Sequence, residues 1–190
     1  EFALAQVQAS EADTLIATSY SINNAANVTP MVDAVNASNI AMTIEHLSTS
    51  YANRFYTTTS GVTSAQWIHD NWASIAAGRN DISVEYYEHA SWDQPSIILT
   101  ITGTDKPEEV VVLGAHIDST VGNSTGEGTS APGADDDASG VAVLTEALTV
   151  LVDQDYHPQK TIKLMGYAAE EVGLLGSDEI EIGRASCRER

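Results

Sequence analysis

Val110-Val111-Val112-Leu113-Gly114-Ala115-His116-Ile117-Asp118 decides the fold. Its first four residues form an unbroken apolar run with no alternation, the pattern of a short strand buried on both faces. A Gly/Ser/Thr-rich loop follows from Ser119 to Pro132. Val141, Leu144, Leu148 and Leu151 then recur at helical spacing and predict a helix over about 139–152. Thr161 to Tyr167 reads as a second buried strand. Strand, helix and strand in this order make a parallel crossover unit, which the twist of strands renders right-handed.

Working upstream, Ile82, Val84 and Tyr86 alternate with polar residues as in a half-buried strand, and Ser96 to Thr102 is a further strand. Their short connection predicts an antiparallel pair, and Asp105-Lys106-Pro107 turns the chain towards the deciding stretch. Two helices precede them. Ser38 is placed to cap one whose face carries Ile40, Ile44 and Leu47. After a turn at Thr57–Gly61, Thr63 and Gln66 have capping-box spacing before a helix that carries Trp67, Ile68, Trp72 and Ile75 and stops at Gly78. The expected fold is α/β, a three-layer sandwich with a mixed central sheet.

Composition bounds what such a domain does. The chain has 190 residues, 27 acidic against 8 basic, and a net charge of −19. That acidity argues against nucleic acid, because phosphate binding needs clustered Lys and Arg. There is no apolar run of membrane-spanning length. One cysteine permits no internal disulfide and no multi-cysteine zinc site.

The two ends are read apart from the middle. Ala3-Leu4-Ala5 fits the small-residue pattern at a secretory cleavage site, and acidity with few lysines fits an exported protein, so secretion is expected. Residues 1–36 are polar and weakly periodic and are read as a signal-peptide remnant, a propeptide or an irregular N-terminal arm. Residues 37–178 are the domain proper. Glu181 to Arg190 holds three of the five arginines and Cys187, and it back-translates into a common sequencing-adapter read; 179–190 is therefore expected to be a non-native tail.

Polar clusters follow the buried elements. His116-Ile117-Asp118 lies past the first strand of the crossover, Asp135-Asp136-Asp137 opens its helix, and Glu170-Glu171 lies past its second strand. Ligands of open α/β sheets bind at the carboxyl ends of strands. Carboxylates gathered there repel one another, and a divalent cation removes that cost. One imidazole with carboxylates suits zinc, and a shared carboxylate can bridge two ions. Read singly, an Asp run is an ordinary helix cap and a Glu pair an ordinary surface pair; their joint placement carries the argument. Asp135, Asp137, Ser139, Gly140 and Glu146 also match a calcium-loop spacing, but no entering helix precedes them. No nucleophile elbow or phosphate loop is present.

Gly114–Ser119, Ala131–Gly140 and Tyr167–Leu174 together resemble the co-catalytic di-zinc exopeptidases, and Asn53–Gly61 resembles in particular the secreted bacterial leucyl aminopeptidases of the Vibrio/Aeromonas type. The resemblance runs from about Ser38 to Ser177. It implies the zinc-dependent exopeptidase (phosphorylase/hydrolase-like) fold, incomplete at its C-terminus, and two zinc ions in the full-length parent. By position it makes His116 a terminal ligand of one zinc and Glu171 a ligand of the other. Asp136 bridges both, with a cis peptide to Asp137. Glu170 is the general base and acid, and Asp118 holds His116 from behind.

The family also uses a further acidic residue and a further histidine, both downstream of this chain. His46, His69, His89 and His157 are poorly placed to replace them. The resemblance thus implies a secreted aminopeptidase, a monomer at full length, that removes apolar N-terminal residues from peptides. The 190-residue chain itself is expected to be inactive and prone to aggregate along an exposed sheet edge. The alternatives with the same fold are a single-zinc glutaminyl cyclase, a carboxypeptidase-like enzyme or a non-catalytic relative.

Overall fold

The structure is a computed structural model and describes residues 24–188 apart from Asn123. Helices α1 (Ala25–Ala34), α2 (Ala37–Thr49) and α3 (Thr59–Ile75) come first. Strands β1 (Ile82–Tyr87), β2 (Ser96–Ile101) and β3 (Lys106–His116) follow, then α4 (Ser139–Asp153), β4 (Lys160–Tyr167) and α5 (Leu175–Arg188). No helix among the described residues is long and apolar enough to cross a membrane.

The four strands form one mixed sheet in the order β1-β2-β4-β3. β1 pairs antiparallel with β2, β2 antiparallel with β4, and β3 parallel with β4. The expected antiparallel pair and parallel crossover are therefore both present. The core lies between the sheet and the helices. Ile97, Leu99, Ile101 and Leu164 from the strands meet Leu47, Ile68, Trp72, Val141, Leu144 and Leu148 from α2, α3 and α4. The Trp72 indole N–H donates to Thr145 Oγ1 at 2.9 Å, so the largest core ring leaves no polar atom stranded.

Several expectations need correction. Residues 25–34, read as an irregular arm, form α1, a helix that tolerates Pro30 inside it and buries none of its residues. The cap of α2 is Asn36, which accepts from the Ser38 amide at 2.9 Å, so Ser38 lies inside the helix. Helix α3 opens at Thr59 and is capped by Thr58, which accepts from the Gly61 amide at 3.0 Å. Thr63 sits within it and donates to the Thr59 carbonyl instead of capping. The largest departure is in β3. Val110, Val111, Val112 and Leu113 form a strand as expected, but it is the edge of the sheet, and the four residues are 36–47% exposed instead of buried on both faces.

Candidate active site

The three polar clusters meet at one end of the sheet, where β3 and β4 both terminate. The bond from Asp136 to Asp137 is cis, and the backbone from Ala134 to Ala138 makes one wide turn before α4. Here the three aspartates separate in role. Asp137 turns inward: its Oδ1 accepts from the Gly140 amide at 2.8 Å and its Oδ2 from the His116 amide at 3.1 Å. It thus caps α4 and fixes the end of β3 together. Asp136 turns outward, with its side chain 75% exposed and Oδ1 2.8 Å from His116 Nε2.

His116 is fixed at both nitrogens. Nδ1 lies 3.1 Å from the Asp118 carbonyl oxygen, which can only accept, so Nδ1 carries a proton. Nε2 points at Asp136 and is 3.8 Å from Glu170 Oε2. Burial draws the imidazole pKa down, but Asp118, then Asp137 and Glu170, outweigh it and raise the value to about 9.

Asp118 is fully buried, and its carboxylate organises the other cluster. Oδ1 accepts from the Glu170 amide at 2.9 Å and Oδ2 from the Glu171 amide at 3.1 Å. Asp118 does stand behind His116, but through its backbone carbonyl; its carboxylate is 3.6 Å from Nδ1. The chain turns at Ala169, which has a φ of +56° that a side chain tolerates poorly, and the two amides held by Asp118 lock that turn. Burial, and then repulsion from Asp136, pushes the Glu171 carboxyl above its ordinary value. The structure thus brings His116, Asp136 and Glu170 together over Asp118, with Glu171 beside them. Among the described residues no three His, Cys, Asp or Glu side chains yet close on one point as a finished metal site does. A cleft of about 460 Å³ lined by Gly114, His116, Tyr167, Glu170 and Leu174 opens alongside.

The other histidines lie elsewhere. His46 stacks on Trp67 and His69 on Tyr86. His157 lies between Asp81 and Asp155. His89 is buried, with Nδ1 2.9 Å from Glu179 Oε2 and Nε2 2.7 Å from Ser96 Oγ. Ser96 Oγ in turn accepts from the Ala168 amide at 2.9 Å, just before the Glu170 turn. This resembles a hydrolase triad in its distances, but Ser96 is fully buried and its oxygen is occupied, so it braces the end of β4. Sequence reading gave no role to His89, Ser96 or Arg54. For Arg54 a signal existed: in so acidic a chain it is one of two arginines before residue 184.

Residues 96–182, from the start of β2 into α5, match the model of peptidase family M28. The chain belongs to that family. A probable leucine aminopeptidase of Arthroderma benhamiae is 42% identical over 84% of this chain and 44% of its own length. The crystal structure of LapB from Legionella pneumophila superposes with a TM-score of 0.73 at 37% identity, over 83% of this chain and 42% of that one. A zinc aminopeptidase of Bacillus subtilis shares the fold, with a TM-score of 0.61 at 15% identity over 77% of this chain and 64% of its own. The chain spans less than half the length of the curated relatives it matches. The match extends to residue 182, and Ile180 is buried in the fold.

Proposed function

We propose that this chain carries the metal-binding centre of a secreted zinc aminopeptidase that removes apolar, leucine-like residues from peptide N-termini. The observation that carries the reading is His116, whose Nδ1 is fixed by a carbonyl so that Nε2 faces Asp136. This is how metal-binding histidines are commonly oriented. The donor set fits zinc: one imidazole nitrogen and several carboxylate oxygens, with no lysine or arginine paired to Asp136 among the described residues. The leucine aminopeptidase names of the M28 relatives support the substrate class.

In this reading His116, Asp136 and Glu171 would hold zinc, two ions in the full-length protein. Zinc supplies Lewis acidity towards the peptide carbonyl and towards water. The chain's own residues do the rest. Glu170 takes a proton from the attacking water and delivers it to the leaving amine, as a general base and then acid. Its backbone is held for that role, because the Glu170 and Glu171 amides are both pinned by Asp118. Asp118 and Asp137 hold the backbone that carries the reacting groups.

The test uses the full-length protein with a leucyl anilide, with and without a chelator. Hydrolysis that a chelator abolishes and zinc restores is expected. Glu170→Gln should keep zinc and lose at least about a hundredfold in rate, the usual scale of general-base catalysis. A near-wild-type rate for Glu170→Gln would remove that role. Cyclisation of an N-terminal glutamine without release of leucine would replace the aminopeptidase by a single-zinc relative.

A further inference from the structure

Arg54 is 1% exposed, yet its side-chain hydrogen bonds all go to carbonyls. Nε donates to Ile117 at 2.9 Å. Nη1 donates to Leu47 at 3.1 Å and to Pro132 at 2.6 Å, and Nη2 to Gly133 at 3.0 Å. Its own amide donates to Ser119 Oγ at 2.9 Å, and that hydroxyl donates to the Ala131 carbonyl at 2.8 Å. Ile117 and Ser119 belong to the loop of His116 and Asp118. Ala131, Pro132 and Gly133 lead directly into Asp136. One guanidinium therefore joins the two loops whose side chains meet at Nε2 of His116.

The neighbourhood is built around this clamp. Gly133 has a φ of +51°, and a Cβ there would lie 2.8 Å from Arg54 Nη2 and 2.6 Å from Ser119 Cβ. Asn53, the preceding residue, donates to the Gly126 and Thr129 carbonyls at 3.0 and 2.9 Å, which ties down the rest of the same long loop. The planar fork of arginine suits several fixed acceptors; an ammonium on a flexible stem cannot reach all of them in one geometry.

We propose that Arg54 is the positioning residue of the metal centre: it clamps the His116 loop to the Asp136 loop and so sets the distance between their donor atoms. It touches neither metal nor substrate. The proposal rests on the zinc aminopeptidase reading above and adds the residue that holds its ligands in register.

The decisive variant is Arg54→Lys in the full-length protein, which keeps the charge and loses the fork. The readouts are the melting temperature without metal, the zinc affinity by competition with a chromophoric chelator, the visible spectrum of the cobalt-substituted protein, and kcat and KM on the leucyl anilide. A clamp predicts zinc affinity lower by about 10–100-fold, the range for residues that orient ligands, and a changed cobalt spectrum. It also predicts a fall in kcat with KM nearly kept. A folded Arg54→Lys protein with wild-type zinc affinity and spectrum overturns the proposal. If that variant does not fold, Ser119→Ala decides, because it removes only the hydroxyl that bridges Arg54 to Ala131. Weaker zinc binding at an unchanged melting temperature supports the clamp, and unchanged binding overturns it. Wild-type protein that binds no zinc would instead sink the zinc reading, and the clamp with it.

Discussion

The two ends of the sheet each hold a histidine among carboxylates with an arginine close by, and they use them in opposite ways. At the end where β1 and β4 begin, Arg79 Nε and Nη2 donate to Asp81 Oδ1 and Oδ2 at 2.8 and 2.7 Å. Arg79 also reaches the Tyr156 carbonyl, and His157 lies 3.1 Å from Asp81 and 3.3 Å from Asp155. Positive charge there meets carboxylate directly. At the end where β3 and β4 finish, Arg54 donates its side-chain hydrogen bonds to carbonyls, and the carboxylates of Asp118, Asp136, Asp137 and Glu171 act on it only through space. Burial lowers its pKa to about 10, which still leaves it charged at neutral pH. A carboxylate cluster completed by arginine joins two turns. One whose arginine is committed elsewhere keeps acceptor oxygens for another cation.

Exchanging the two histidines' fates gives the largest contrast. His116→Ala should weaken zinc binding by more than about a hundredfold, beyond the cost of losing a residue that merely orients a ligand. His157→Ala should leave it unchanged. Equal losses in a chelator competition would erase the distinction between the two ends.

A smaller effect separates the aspartates within the site. Asp137→Ala removes the acceptor of the Gly140 and His116 amides. It should cost about 0.5–2 kcal/mol, the range for a lost helix cap, seen as a lower midpoint in denaturant unfolding. Asp135→Ala, in the same run, should cost little.

The smallest effect belongs to the closed end and depends on pH. Its hydrogen bonds to Arg79 hold the Asp81 carboxyl at about 2, below its ordinary value of 3.8. A depressed carboxyl stabilises the fold above its unfolded pKa, and this contribution fades as pH falls through the folded value. The melting-temperature gap between wild type and Asp81→Asn should therefore be constant above about pH 4 and close between about pH 4 and 2. A gap that persists at the acid end would mean that Asp81 acts by shape and not by charge.

Much of this arrangement is legible in the sequence, for a local reason. Periodicity marks β1, β2, α4 and β4 to within a residue or two, because a strand or helix declares its own spacing. The clustering of His116, Asp136 and Glu170 is legible because strand ends of such a sheet converge from distant positions. Caps were less readable. Ser38 and Thr63 have suitable side chains, but Asn36 and Thr58 take the positions, and Thr58 is itself held by Asn53 at 2.9 Å. An apolar run such as Val110–Leu113 states that it prefers a strand but not what lies against it. The links from Arg54 and from His89 through Ser96 join residues far apart in sequence, mostly through backbone atoms, and spacing carries no trace of them.

The edge position of β3 has a consequence for the site at its end. The strand that exposes Val110 to Leu113 is the one that finishes in His116. A further strand pairing along its outer side would stiffen the same backbone that aims the imidazole. Coupling between two binding events is reciprocal, so metal held at His116, as proposed above, would favour strand addition by the factor by which strand addition tightened the metal. Pairing along the outer side of β3 and loading of the proposed site would then be linked, each felt at the other end of one strand.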